Sequence, residues 1–357
     1  LKTVSVFKHI SQVVILVALT ACVLLIPPLL GAHVAGAVPE NLLSFPPPPR
    51  PTWTGHFSWV VFVALGPRDA KLPARRRAFP RWGMFGVALL GASWMFAWTR
   101  FEWFAPLQAY TFTPLWLGYI VSINASCWRR TGQCPMLDKP VVFCSLFPLS
   151  ALFWWFFEYL NRFVANWYYL GLAEATPFSY VFSASMAFST VLPAFVSTLR
   201  WLQSFDRFSC AFIGWRAIRV GGLAGVAPAG LCVAVGLLFA LGYAPRWFFP
   251  FAWIAPLLAL LSLEVLVGRR SILAPVAVGD WRTVWQPALA TLVCGFFWEL
   301  WNTGSYSHWV YSVPLVDRFH VFAMPVLGYA GYLPFGVECA VVVGMVSRRI
   351  MWLAPRG

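Results

Sequence analysis

The stretch 296-FFWELWNTGSYSHWVYSVP-314 reads as the last turns of an apolar helix running into an aromatic loop. Its first half is rich in Phe and Trp, yet it carries Glu299 and Asn302. Three residues apart on a helix, these two share a face. A related stretch, 156-FFEYLN-161, lies 141 residues before 297-FWELWN-302, with Glu158 and Asn161 in register with Glu299 and Asn302. The same offset carries Phe156 onto Phe297, Phe178 onto Phe319, Leu192 onto Leu333, Pro193 onto Pro334 and Val196 onto Val337. This gapless diagonal predicts a duplicated helix–loop–helix unit with both copies in the same orientation, and repeat interfaces are where membrane proteins place their sites. A third, shorter copy is expected at 82–139, where Glu102 lies in "TRFEW" and "FTPLWLGY" (112–119) echoes "FAMPVLGY" (322–329).

The flanking sequence fixes the class. Of 357 residues, 60% are hydrophobic, 18% aromatic and only 11% charged. A soluble domain carries about 25% charged residues. Apolar runs recur along the whole chain, which predicts an all-α, polytopic transmembrane helix bundle. Ten segments can be drawn, at 10–36, 53–66, 82–98, 110–126, 140–160, 178–200, 221–242, 246–268, 286–303 and 319–346. With the N-terminus inside, only Arg50, Arg100, Arg162, Arg246 and Arg318 of the 26 Lys and Arg fall on the outer side. That asymmetry is the positive-inside pattern, and it predicts cytoplasmic N- and C-termini in a bacterial inner membrane. It also gives the net charge of +14 a source other than nucleic acid, for which no signature appears. The expected organisation is N-terminal spans with a proline-rich outer loop (1–81), the third copy (82–139), a repeat (140–220), a helical hairpin (221–280) and a second repeat (281–357).

Several features carry no chemistry of their own. Six of the eight cysteines lie in or beside apolar runs, and Cys127 and Cys134 flank a basic loop without a zinc-ligand spacing, so all are expected as reduced thiols. The opening segment resembles a leader, but its apolar run is longer than a signal core of about 7–15 residues, so a retained first helix is expected. "PENLLSFPPPPRP" (39–51) reads as a stiff polyproline connector or a partner-docking strip. His308 and His320 stand alone, with no metal- or haem-binding motif around them, and no metal site is expected.

The polar chemistry therefore gathers at the outer ends of the repeats. The expected catalytic residues are Glu158, Glu299, Asn161 and Asn302, with Glu102, His308, Trp309, Tyr311, His320 and Glu338 as binding residues. Two carboxyls in one apolar cavity would raise each other's proton affinity, so that one donates a proton while the other accepts. Aromatic walls would stabilise a carbocation. The competing reading makes the same groups interhelical glue and the tryptophans interfacial anchors. Glu264 and Glu338 are expected toward the inner ends of their helices, reaching the inner surface or Arg348 and Arg349, with a helix break at "YLPFG" (332–336).

The order Trp298-Glu299, Trp309-Val310-Tyr311, then Leu333-Pro334 followed by Glu338 resembles the lycopene cyclase domain of carotenoid-making membrane enzymes. That family repeats an aromatic–acid pair, a Trp-x-Phe/Tyr step and a Gly-Leu-Pro turn leading into a helix that carries glutamates. The family places paired glutamates soon after the proline, where this chain has Phe335, Gly336 and Val337 before a single Glu338. The resemblance implies a helical membrane scaffold and an isoprenoid-like ligand. As a whole the chain is similar to multi-pass inner-membrane proteins of bacteria. Three functions follow as alternatives: an acid–base enzyme acting on an apolar lipid or isoprenoid, an accessory subunit of a membrane complex that binds lipid or pigment, or a transporter. The segments 221–242 and 246–261 offer a transporter almost no polar lining.

Overall fold

The computed structural model describes residues 2–39, 77–171, 176–219 and 223–346. The expected span 53–66, residues 40–51 of the proline-rich segment and residues 347–357 lie outside them. Within the described residues the long elements are α1 (Lys2–Val34), α2 (Arg81–Trp98), α3 (Phe112–Thr131), α4 (Pro140–Val164), β1 (Trp167–Leu170), α5 (Pro177–Phe188), α6 (Val191–Gln203), α7 (Leu223–Tyr243), α8 (Ala255–Leu266), α9 (Arg282–Gly304), β2 (His308–Tyr311), β3 (His320–Val321), β4 (Met324–Pro325) and α10 (Tyr332–Val346). The chain is thus helical, with two short antiparallel pairings, β1 with β2 and β3 with β4, that an all-α expectation omits.

Among the described residues, five stretches are long and apolar enough to cross a membrane: Leu16–Val34, Pro140–Val164, Pro177–Gln203, Gly225–Tyr243 and Val326–Met345. A bent pair, Pro245–Ala252 with Ala255–Leu266 at 51°, makes a sixth if it counts as one span. The 25 residues of α4 reach about 37 Å, beyond the ~30 Å of hydrocarbon. Helices α2, α3 and α9 occupy three more of the segments drawn from sequence. Their arginines, amides and tryptophans dilute the apolar character that a span needs. The expected last segment, 319–346, is not one helix. It holds the β3–β4 pairing and a 3₁₀ turn (Val326–Gly331), and only then α10. "YLPFG" is correspondingly the start of α10 rather than a break inside a helix. Pro334 falls in the first turn, where a missing N–H leaves no bond unmade.

The chain folds into two compact units. The first joins α1, the end of α4 (Tyr159–Val164) and the segment Phe212–Val284 with α7 and α8. Glycines set its packing. A Cβ on Gly31 would meet the Phe239 carbonyl, and one on Gly242 the Pro28 carbonyl, so α1 and α7 approach backbone to backbone. The Tyr159 hydroxyl donates to the Leu25 carbonyl. At the end of α8, Glu264 is buried and lies 3.7 Å from Arg269, so its partner is local.

The second unit holds α2, α3, α4 up to Glu158, β1, α5, α6, α9, β2–β4 and α10. Helices α2 and α3 pack through Gly86 against Val121 and Gly118 against the Leu90 backbone. Arg100 joins two helix ends. Its guanidinium donates to the Ala97 carbonyl of α2 at 2.8 Å and the Gly304 carbonyl of α9 at 3.0 Å. Cations are favoured at such C-termini, where carbonyls lack intrahelical partners. Gln108 caps α2 as well, through the Phe96 and Thr99 carbonyls. The ends of α2 and α9 are therefore held together beside the loop that leads into β2.

Candidate functional site

The site forms where α4 and α9 end and β1 and β2 begin. Both strands follow a glutamate helix after a short connection. They pair antiparallel with Trp167 opposite Tyr311 and Tyr169 opposite Trp309, and Ser312 N–H extends the pairing to the Asn166 carbonyl at 2.8 Å. Side chains alternate along a strand, and directly opposed residues share a face. Trp167, Tyr169, Trp309 and Tyr311 therefore all project from one side of the ribbon, the side that meets the two carboxyls.

Each strand clasps the glutamate of its own helix. Glu158 Oε1 accepts from Trp167 Nε1 at 3.0 Å and from the Tyr169 hydroxyl at 2.6 Å. It also accepts from Trp154 Nε1, one turn back on α4, at 3.1 Å. Glu299 Oε1 accepts from the Tyr311 hydroxyl at 2.6 Å and the Tyr332 hydroxyl at 3.1 Å. Trp309 Nε1 donates to the Tyr311 oxygen at 2.7 Å, completing a Trp-to-Tyr-to-Glu chain. Glu299 is 0% and Glu158 2% exposed, and Glu299 Oε2 has no hydrogen-bond partner among the described residues.

Asn302 explains how the loop is aimed. Its amide nitrogen donates to the Trp309 carbonyl and its oxygen accepts from the Trp309 N–H, both at 2.8 Å. A side-chain amide thus replaces a strand partner and ties β2 to α9 one turn above Glu299. Asn161 is likewise buried, one turn on from Glu158.

An aromatic wall encloses Glu299. Trp298 stacks on Tyr332 at 6.2 Å between ring centroids, and meets Trp116 at 5.0 Å and Trp154 at 6.0 Å. Trp116 also meets Trp301 at 5.0 Å. The Trp154–Trp298 contact links the surroundings of the two acids, since Trp154 donates to Glu158 and Trp298 precedes Glu299. Burial, followed by the neighbouring carboxyl, pushes the phenols of Tyr169 and Tyr311 well above their ordinary range. Both stay protonated and act as donors.

Other expected residues lie elsewhere. Glu102 opens an exposed 3₁₀ turn (Glu102–Tyr110). His308 Nδ1 donates to the Tyr306 carbonyl at 3.0 Å. His320 pairs with Asp317 at 2.8 Å near the surface. Glu338 does not reach a surface: it is 0% exposed, and neither oxygen has a hydrogen-bond partner among the described residues. Among the described residues no three His, Cys, Asp or Glu side chains converge as a metal-ligand set. Cys127 and Cys134 are buried, and burial pushes the Cys134 thiol up to about 11.

Sequence reasoning passed over Tyr169 and Tyr332, and took Trp154 and Trp167 only as part of the aromatic belt around the acids. A signal for Trp167 and Tyr169 was present. Trp167-Tyr168-Tyr169 repeats Trp309-Val310-Tyr311, but at an offset of 142. The second connecting loop is one residue longer, so the gapless diagonal slips past the match. No family model, characterised protein or solved structure matches the chain.

Proposed function

We propose that this helical membrane protein is an enzyme that moves protons to and from an apolar lipid or isoprenoid, with Glu299 as the acid and Glu158 as the base. The observation that carries the reading is the state of Glu299. It is fully buried, the Tyr311 and Tyr332 hydroxyls both donate to Oε1, and Oε2 is left without a hydrogen-bond partner among the described residues. A neutral acid carrying its proton on Oε2 fits that pattern, and a buried ionised group with an unpaired oxygen does not. Transfer of that proton breaks the Glu299 O–H bond and forms a C–H bond on an alkene carbon of the substrate. Glu158 then removes a proton from a neighbouring carbon and restores a double bond. The sequence of steps needs no redox partner and yields an isomerised or cyclised hydrocarbon of unchanged mass. Trp116, Trp298 and Trp301 supply π-faces for the intermediate cation, and Asn302 positions the strand that holds Tyr311.

The same proposal takes ten crossings, a duplicated unit and cytoplasmic termini in a bacterial inner membrane. Its support is the charge asymmetry and the matched Trp-x-Tyr clasps. The three donors on Glu158 Oε1, all supplied by the protein, favour a second reading. In it the clasps are structural and the chain is an accessory subunit holding lipid or pigment.

One experiment separates the two. The protein in vesicles of host lipid extract is incubated in deuterated water, and the apolar lipids are analysed by mass spectrometry. The enzyme reading expects one lipid class to gain deuterium, and Glu299→Gln to abolish the gain while the thermal midpoint stays near that of the parent. A Gln variant that loses stability, with no deuterium gain in the parent, makes the clasp structural.

A further inference from the structure

Glu338 is a second buried acid that the clasp does not use. It lies six residues into α10 and is the sole Asp, Glu, Lys, Arg or His in the span Val326–Met345. Its exposure is 0%, and neither carboxyl oxygen has a hydrogen-bond partner among the described residues. The surrounding faces of α10 are closed. Phe335, one turn before it, stacks on Phe153 at 5.7 Å and meets Phe157 at 5.3 Å. Gly336 sits against the Pro287 carbonyl and Thr291 of α9 with no room for a Cβ. Cys339, the next residue, is within electrostatic reach of Cys294 on α9. The other titratable groups carried by these elements are Arg282 and Glu299 on α9, Cys144, Glu158, Tyr159 and Arg162 on α4, Arg200 on α6 and Tyr329 in the turn. None of these makes a hydrogen bond or ion pair with Glu338.

A fully buried carboxylate with neither a counter-ion nor a donor is far costlier than the neutral acid. The repeat diagonal points the same way. Position 338 corresponds to Ser197, and Pro334 to Pro193. Ser197 Oγ is buried, donates to the Pro193 carbonyl at 2.6 Å and accepts from Asn124 Nδ2 at 2.7 Å. A neutral hydroxyl occupies that place in one copy, and a protonated carboxyl puts a neutral hydroxyl there in the other.

We propose that Glu338 is a proton-binding site of the membrane interior, a carboxylic acid held neutral inside α10 and reached by lipid-soluble carbodiimides when the surrounding helices fluctuate apart. The reaction that reports it is balanced without a redox partner. The carboxyl O–H adds across one C=N bond, the proton going to nitrogen and the oxygen to the central carbon. Migration of the acyl group from oxygen to nitrogen then leaves a stable N-acylurea. This inference does not rest on acid–base chemistry at Glu299.

The full chain in lipid vesicles is treated with dicyclohexylcarbodiimide and, separately, with a water-soluble carbodiimide plus an amine. The expected result is an N-acylurea on Glu338 with the lipophilic reagent and none with the aqueous one. Glu338→Gln, which keeps a neutral polar group, is expected to fold with an unchanged or higher thermal midpoint. Absence of the lipophilic adduct, when the unfolded chain is labelled, overturns the proposal. A marked drop in the midpoint of Glu338→Gln also overturns it, because it shows a carboxylate held by a partner charge.

Discussion

At the scale of single residues, the two clasps turn isolated acids into parts of a network. Tyr311 is the hinge of the Glu299 clasp, because it donates to the acid and accepts from Trp309. Tyr311→Phe removes both bonds and takes from the half-buried Trp309 indole N–H its hydroxyl acceptor. The expected loss is about 1–3 kcal/mol of stability, read as a lower thermal midpoint in detergent, with Tyr169→Phe behaving alike at Glu158. The same phenols carry a pH dependence. Their folded proton affinity is raised above the ordinary value near 10. The stability they contribute is therefore fully present below about pH 10 and is lost as pH rises through the higher folded value. Spectrophotometric titration is expected to find them silent until the protein unfolds in alkali. Ionisation of every tyrosine near pH 10 in the folded state would refute this.

Among elements, the β1–β2 ribbon is the piece that makes one site out of two helix ends. Alternation along each strand puts all four Trp and Tyr rings on one face, and the antiparallel register sets Trp opposite Tyr in both directions. Four residues per strand is too short for independent stability, so the ribbon depends on its anchors. Asn302 is the anchor that can be removed alone. Asn302→Ala deletes both bonds to the Trp309 backbone. It is expected to cost about 1–3 kcal/mol and to speed amide exchange across His308–Tyr311, while leaving exchange in the middle of α9 unchanged. Equal exchange in the variant and the parent would show that pairing with β1 suffices to hold β2.

For the whole molecule, composition and charge asymmetry carry the membrane assignment, and the helices provide spans of the required length. The proposed orientation is tested with single cysteines in a chain whose eight native cysteines are replaced. Arg318→Cys, beside the ribbon, is expected to react with a membrane-impermeant maleimide on intact cells. Arg216→Cys is expected to react only after permeabilisation. The reverse pattern inverts the topology and puts the clasped glutamates on the cytoplasmic side.

The sequence by itself determined the class of protein, the helical positions of Glu158, Glu299 and Asn302, and the aromatic loops that follow them. These are legible because apolar runs, helical spacing and charge asymmetry are local or additive properties of the chain. Only the tertiary structure decided what the acids touch. Tyr332 lies 33 residues beyond Glu299, and the register of β1 on β2 joins segments more than 130 residues apart. Glu338 shows the same limit from the other side: from sequence it was free to reach an aqueous surface, whereas packing by other helices leaves it enclosed and without a partner. Hydrogen bonds and burial arise between elements, and no pattern within one element encodes them.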